Sequence, residues 1–490
     1  MRWLEPPPKI KHKLTVLLPI VLLVLATIIQ AVKIAVNRSL TLDEAVTLTH
    51  SFAGFNGKWL ELFADIHMPV YNVLAAAWMG IFGFDVLTAK MFSIVCAVGA
   101  LLSVFVFVDR ALGRRVAFGS IALLAFSPLF IQYAQLVRSY ELFVVMATVS
   151  SIFFLRLNER GFAFRTREMF FYVIATTGLL ATHMVGAAML VVQALFVLFV
   201  FSRDHDRARL ARWAGAAAVV VLAYAPIAAT ILSRYDLETA IPVIYSWVER
   251  PDLRALLLSV SYSATDPLEH SIGFACLILW AIVKRAEKSD VIVYLALWLC
   301  VPALLLFAYS HLHHPVFIKR GLITSLVPFL VLVSFGISRL GRGQLVGAVF
   351  ALAVVVTGAE ENYRRRVLDD ESWRGLVEAI RDSPKENRSI AFFVRPGYAW
   401  QPFLYHINRE CLFYEVPQNC MSKFGIVAVG GSTMNGDVPL HDVNWFVGYG
   451  SDVKHNRSLI DEMRASGIYR NVETFPDFRG LEVVKFETAN

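Results

Sequence analysis

Runs of apolar residues long enough to cross a bilayer recur from Leu14 to Gly358, and they constrain the fold more than any motif does. A helix needs about 20 consecutive apolar residues to span the hydrocarbon core, where its backbone polar groups must pair internally. Windows that meet or approach this requirement lie at 14–36, 87–108, 116–133, 139–156, 169–182, 184–201, 213–232, 270–283, 290–309, 321–338 and 344–358, about eleven in all. With 57% of its 490 residues hydrophobic and 17% charged, the chain is too apolar for a soluble globular protein, and no nucleic-acid partner is expected. The first run is too long for a cleaved leader and has no small-residue cleavage site, so it reads as a span. The apolar run 69–83 has about 15 residues and ends in Gly80-Ile81-Phe82-Gly83, which predicts a juxtamembrane helix lying at the interface.

Basic residues set the orientation. With the N-terminus in the cytoplasm, the inner loops carry Lys9, Lys11, Lys13, Arg110, Arg114, Arg115, Arg156, Arg160, Arg165 and Arg167. Further along they carry Arg203, Arg207, Arg209, Arg212, Lys284, Arg285, Lys288, Arg339 and Arg342. The outer loops hold fewer, chiefly Arg38, Lys58, Arg138, Arg234, Arg250, Arg254, Lys319 and Arg320. This is the positive-inside pattern, and it would reverse if 69–83 spanned. An odd number of spans places 359–490 on the outer face.

The character of the chain changes at Glu360-Glu361-Asn362-Tyr363-Arg364-Arg365-Arg366. The expected domains are therefore a membrane domain, 1–358, whose first outer loop is 37–86, and an extracytoplasmic α/β domain, 359–490. In the latter, Ile390–Val394, Gly425–Val429, Trp445–Val447 and Leu481–Phe486 predict strands, and 371–381 and 457–466 predict amphipathic helices. Gly430-Gly431-Ser432-Thr433 follows a strand but lacks the lysine and spacing of a phosphate loop, so no nucleotide role is assigned to it. Cys96, Cys276 and Cys300 fall in apolar runs and read as packing residues, whereas Cys411 and Cys420 are near enough in a polar region for a disulfide.

On this topology, polar residues collect at the outer face. The first loop holds Asp43, Glu44, Asp65 and His67; the turn after the third span holds Gln135, Arg138, Tyr140 and Glu141. His183 lies in the turn between the fifth and sixth spans, and His311, His313, His314, Lys319 and Arg320 lie between the ninth and tenth. Each has an ordinary explanation. Asp43 and Glu44 suit the N-terminal turn of a helix, Arg138 suits a headgroup contact, and Lys319 and Arg320 suit interface anchors. A His-x-His-His run in a loop is weak evidence for a metal. Their joint occurrence on one face favours chemistry: carboxylates able to take a proton from a hydroxyl, beside fixed cations able to hold a lipid phosphate.

In order along the chain, Leu42-Asp43-Glu44-Ala45, His67-Met68-Pro69-Val70-Tyr71, Gln135-Leu136-Val137-Arg138-Ser139-Tyr140 and Thr182-His183 resemble the landmarks of GT-C fold glycosyltransferases. The resemblance is to the bacterial protein-mannosyltransferase-like and aminoarabinose-transferase-like branch, or glycosyltransferase family 39-like. Lys319-Arg320 resembles its late basic-aromatic pair, and Trp373-Arg374 resembles the pair that opens its outer domain. Two departures concern the donor pocket: Met68 stands where the family has the first proline of His-Pro-Pro, and Gly321 stands where an aromatic is common.

The resemblance implies an inverting transfer of a sugar from a polyprenyl-phosphate donor to an acceptor hydroxyl on a lipid, glycan or protein, at the outer face of a bacterial inner membrane. On this basis Asp43 is the general base, and Glu44 positions the acceptor or supports the base. Arg138, with Lys319 or Arg320, holds the phosphate, and His67, Tyr71, Tyr140 and His183 orient donor groups. Metal use is open: the carboxylates are too few to demand a divalent ion, though His67 with a first-loop acid could hold one. The alternative is a lipid or solute transporter or flippase, in which ionisable residues are expected near mid-membrane.

Overall fold

A computed structural model describes residues 13–37, 39–55, 69–163, 166–234, 248–261, 268–283, 289–368, 372–384, 388–394, 401–408, 417–431, 443–449, 469–475 and 481–488, with a few single positions between them. The chain divides into two compact units, one of 1–36 with 51–363 and the other of 37–50 with 364–490.

The first unit is helical. Among the described residues, eight helices are long and apolar enough to cross a membrane, including Val86–Ala111, Tyr140–Glu159, Met184–Asp204 and Asp290–Leu312. The expected span 116–133 is two helices, Arg114–Ala125 and Pro128–Ala134, bent by 64°. Proline cannot continue the hydrogen-bond ladder and pushes the preceding residue out of the helical region; Ser127 is extended at ψ 124°, and the break follows. Of the remaining expected spans, Arg167–Leu180 has 14 residues and the apolar part of the next is Ile272–Val283. Pro69–Phe82, also 14 residues, would reach about 21 Å at 1.5 Å per residue, short of the roughly 30 Å core. The protein is an integral membrane protein.

The stretch Lys319–Ser338 is the centre of this unit, with 89% of its apolar window buried, whereas Leu17–Asn37 and Arg207–Arg234 are 17% buried and present leucines outward. Close approach depends on small residues, as expected where lipid offers no hydrophobic drive between helices. Ser334 Oγ donates to the Val116 carbonyl at 3.0 Å. At Gly336 an added Cβ would overlap the carbonyl oxygen of Leu277, which is backbone and cannot swing away. Gly336→Ala is expected to cost about 2 kcal/mol or more, seen as a lower melting temperature in detergent. An unchanged melting temperature would show that the two helices are not in this register.

Within this unit, hydrogen bonds between buried side chains join four helices. Gln193 Nε2 donates to Ser150 Oγ at 3.1 Å, Tyr172 OH to Gln193 Oε1 at 2.7 Å, and Tyr294 OH to Ser151 Oγ at 2.8 Å. Ser150 also meets Thr176 at 2.8 Å. All these side chains are buried, so each polar group finds its partner within the bundle.

The second unit is α/β. Its sheet has the order β2-β1-β3-β5-β4, with β1 Ser389–Val394, β2 Val427–Gly431, β3 Trp445–Tyr449, β4 Tyr469–Phe475 and β5 Glu482–Thr488. β1 pairs in parallel with β2 and β3, while β5 is antiparallel to β3 and β4. Four strands fall where the sequence pattern places them, β2 two residues late; β4 is additional. On the helix Trp373–Asp382 the spacing i, i+3, i+4, i+7 buries Trp373, Leu376, Val377 and Ile380. They form one core with Ile390, Phe403, Trp445, Val447 and Val483. Cys411 and Cys420 are joined as a disulfide with Cα atoms 5.4 Å apart. Cys96 is buried, whereas Cys276 and Cys300 are exposed on the helical unit. The expected helix 457–466 and the tail of the glycine run at Ser432-Thr433 lie largely outside the described residues.

Two findings bear on the expected division at 358/359. The helix Gln344–Leu368 runs continuously through that point. Leu42 joins the core of the second unit, with Val46 packed against it. The segment carrying Asp43 and Glu44 thus belongs by its contacts with the C-terminal residues.

Candidate active site

In the second unit, Thr41-Leu42-Asp43-Glu44 opens the helix Leu42–Phe55 with the Thr-x-x-Glu pattern of a capping box, whose carboxylate arm is formed. Glu44 Oε2 accepts from the Thr41 backbone N–H at 3.0 Å and from its hydroxyl at 2.9 Å. Glu44 is fully buried. Its carboxylate therefore fixes the entry of the helix, which suits a supporting role better than contact with a substrate. Asp43, one residue earlier, is half-buried in the same first turn. Backbone N–H groups and the helix dipole point toward this end. Preceding them, Ser39 Oγ lies 3.1 Å from His406 Nε2 and accepts from the Arg374 backbone N–H at 3.2 Å. Trp373 is buried in the core beside it. The Trp373-Arg374 pair thus acts through a buried ring and a backbone donor.

In the first unit, four segments distant in sequence meet. The Val70 N–H donates to the Ala181 carbonyl at 3.2 Å, joining the start of Pro69–Phe82 to the Thr182-His183 turn. The His183 ring stacks on Phe143 with centroids 4.8 Å apart and lies 5.9 Å from Tyr140, which in turn meets Tyr133 at 4.4 Å. Gly321 also approaches the ring: a Cβ there would sit 4.0 Å from His183 Cε1. The backbone of Lys319-Arg320-Gly321 therefore runs past the imidazole, and an aromatic at 321 would have to fill the space between it and Val185.

His183 Nδ1 accepts from the Val185 N–H at 3.2 Å. In the neutral ring this leaves the proton on Nε2, a donor suited to a phosphate or sugar oxygen. Arg138 and Arg320 are half-buried and Lys319 is exposed. Tyr71 is buried, with its hydroxyl 2.6 Å from Ser93 Oγ and its ring on Phe92. That placement locks Pro69–Phe82 onto Val86–Ala111. His67 and Asp65 lie outside the described residues. Among the described residues, no three His, Cys, Asp or Glu side chains gather as a metal site.

Two ionisable side chains of this unit, Lys90 and Glu141, are buried. Lys90, 1% exposed inside an apolar helix, donates to the Ala35 carbonyl at 3.2 Å. The clue in sequence was a lone lysine at the fourth residue of the expected span 87–108. Glu141, 0% exposed, has neither carboxylate oxygen hydrogen-bonded among the described residues. It faces the Val86–Ala111 helix at the level of Cys96, and Val145, one turn on, meets Gly99. A buried polar group without partners is costly. Glu141→Met is expected to stabilise the protein by about 1–3 kcal/mol, measured as a rise in melting temperature; a fall would show that the carboxylate holds the helices together.

The helical unit and α/β unit together define the GT-C membrane fold. ArnT from Cupriavidus metallidurans bound to undecaprenyl phosphate matches with a TM-score of 0.58 at 12% identity, over 95% of this chain and 97% of that one. The archaeal oligosaccharyltransferase AglB from Archaeoglobus fulgidus, in complex with an inhibitory peptide and a dolichol-phosphate, matches with a TM-score of 0.55 at 11% identity, over 98% and 74%. ArnT in the apo state gives 0.57 at 10% identity, over 95% and 97%. At these identities the likeness is one of fold. No family model and no curated protein matches the chain.

Proposed function

We propose that this protein is an inverting membrane glycosyltransferase that moves a sugar from a polyprenyl-phosphate donor to an acceptor hydroxyl. The observation that carries the reading is the meeting of the Val70, Tyr140, His183 and Lys319-Arg320 segments in the helical unit. The bound undecaprenyl phosphate and dolichol-phosphate of the two similar structures support it.

The acceptor oxygen attacks the anomeric carbon, the bond from that carbon to the phosphate oxygen breaks, and configuration inverts. Asp43 takes the hydroxyl proton, and Glu44, held by Thr41, fixes the turn that carries Asp43. Arg138 with Lys319 or Arg320 stabilises the charge that develops on the departing polyprenyl phosphate. His183, and His67 if it reaches the donor, supplies hydrogen bonds that orient it. The acceptor belongs to the cell envelope: a lipid A or lipopolysaccharide core, another glycan, or a protein hydroxyl. The Cys411–Cys420 disulfide supports an extracytoplasmic, oxidising location for the α/β unit.

Native mass spectrometry of the protein released from nanodiscs tests donor-class recognition. Polyprenyl phosphate is expected to stay bound where polyprenol of the same length does not. Equal retention of both lipids would contradict a site built on cations.

A further inference from the structure

The Ser39–His406 contact joins residues 367 positions apart, four residues upstream of Asp43, and none of the chemistry above uses it. His406 belongs to the short helix Gln401–Ile407, whose Phe403, Leu404 and Ile407 are set in the core of the second unit. That helix is also tied to Trp373–Asp382, because Arg381 Nη2 donates to the Ile407 carbonyl. The ring is thus mounted on a fixed support.

One ring nitrogen meets two groups of the 39–41 segment. Nε2 accepts from the Leu40 backbone N–H at 3.4 Å and lies 3.1 Å from Ser39 Oγ. Since Nε2 is an acceptor toward Leu40, the neutral ring carries its proton on Nδ1 and the Ser39 hydroxyl donates. Ser39 Oγ in turn accepts from the Arg374 N–H. The next residues are Leu40, fully buried, and the Thr41–Glu44 capping box. Two successive devices therefore fix where the first helical turn begins: the box sets its direction, and His406 sets the position of the chain entering it.

We propose that His406 is a positioning residue for transfer, acting through Ser39 and Leu40 on the turn that carries Asp43. The kinetic part of this inference rests on the transferase reading; the structural part does not. Misplacing a reacting group by about 1 Å costs on the order of 100-fold in rate. Glutamine is the conservative replacement, because its terminal amide oxygen reaches the place of Nε2 and accepts the same hydrogen bonds.

The test compares wild type, His406→Ala, His406→Gln, Ser39→Ala and the Ser39→Ala/His406→Ala double variant, all as full chain in nanodiscs. Amide hydrogen exchange is read first, across 39–50. In His406→Ala this segment is expected to exchange about 10-fold faster, with the β1, β3 and β5 segments unchanged, and His406→Gln is expected to restore protection. Unchanged exchange at 39–50 in His406→Ala overturns the proposal, and so does faster exchange throughout the second unit, which would mean a general fold defect.

With a donor that wild type turns over, His406→Ala is expected to lose about 10- to 100-fold in kcat with the donor KM held within about 2-fold. The double variant is expected to be no worse than the poorer single one, the non-additivity of one shared device. A loss confined to KM, or full activity in His406→Ala, overturns the kinetic role. If wild type turns over no donor, the transferase reading fails while the exchange result still decides whether His406 holds the segment.

Discussion

Asp43→Asn is expected to insert, fold and bind the lipid-linked donor as wild type does, while kcat falls by about 10²- to 10⁴-fold. The substitution keeps the shape and one acceptor oxygen but removes the ability to take a proton. Asp43 is half-buried in the first turn of the Leu42–Phe55 helix and, unlike Glu44, is not an arm of the capping box. Exchange to asparagine therefore leaves the helix start intact, since the Thr41–Glu44 bonds do not depend on it. Glu44→Gln differs in kind. One Oε2 accepts both Thr41 donors, and an amide keeps one acceptor oxygen, so a milder loss with lower thermal stability is expected. The comparison of the two in kcat and melting temperature separates a base from a support. Near-wild-type kcat in Asp43→Asn would remove Asp43 from the mechanism.

Arg138→Ala carries the second large effect, a fall in kcat of about 10²- to 10³-fold, the range seen when one preorganised donor to a developing anion is removed. Arg138 sits in the turn between the Pro128–Ala134 and Tyr140–Glu159 helices, and its backbone N–H is held by the Leu136 carbonyl at 2.7 Å. The turn is therefore fixed by backbone, and loss of the side chain should leave it in place. Arg138→Lys is expected to recover only part of the activity, because an ammonium cannot reproduce the planar fork of a guanidinium on phosphate oxygens. Steady-state kinetics on the three proteins checks this. Equal activity in wild type and Arg138→Ala would assign the phosphate to Lys319 and Arg320 alone.

Much of the helical unit was legible in sequence because its cause is local: a run of apolar residues identifies a span wherever it packs. The bend at Pro128 was equally local and could have been read from the proline. The segment 42–50 is different. Its Thr-x-x-Glu pattern is a capping-box signature, and from it Glu44 could have been assigned to structure at once. That Leu42 packs in the core with Trp373, and that Ser39 meets His406, depends on residues more than 300 positions away, which no periodicity reports. Strand β4, Tyr-Arg-Asn-Val-Glu-Thr-Phe, lies on the sheet edge with a charged or polar residue at most positions, so its alternation was too weak to register. At the candidate site, residue types and their order were legible. The stacking of His183 on Phe143 and its Nδ1 bond, which set the tautomer, were not. Tyr71 shows the converse: a motif position whose hydroxyl is engaged by Ser93 in a helix contact.

The most direct measurement uses the full chain in nanodiscs with a panel of polyprenyl-phosphate sugars and a cell-envelope acceptor extract, following loss of sugar from the lipid. Wild type is expected to cleave one donor, transfer its sugar with inverted anomeric configuration and leave free polyprenyl phosphate, while Asp43→Asn does none of these at a comparable rate. Movement of an intact lipid-linked sugar across the bilayer, with the glycosidic bond never broken, would contradict the account and make the protein a transporter.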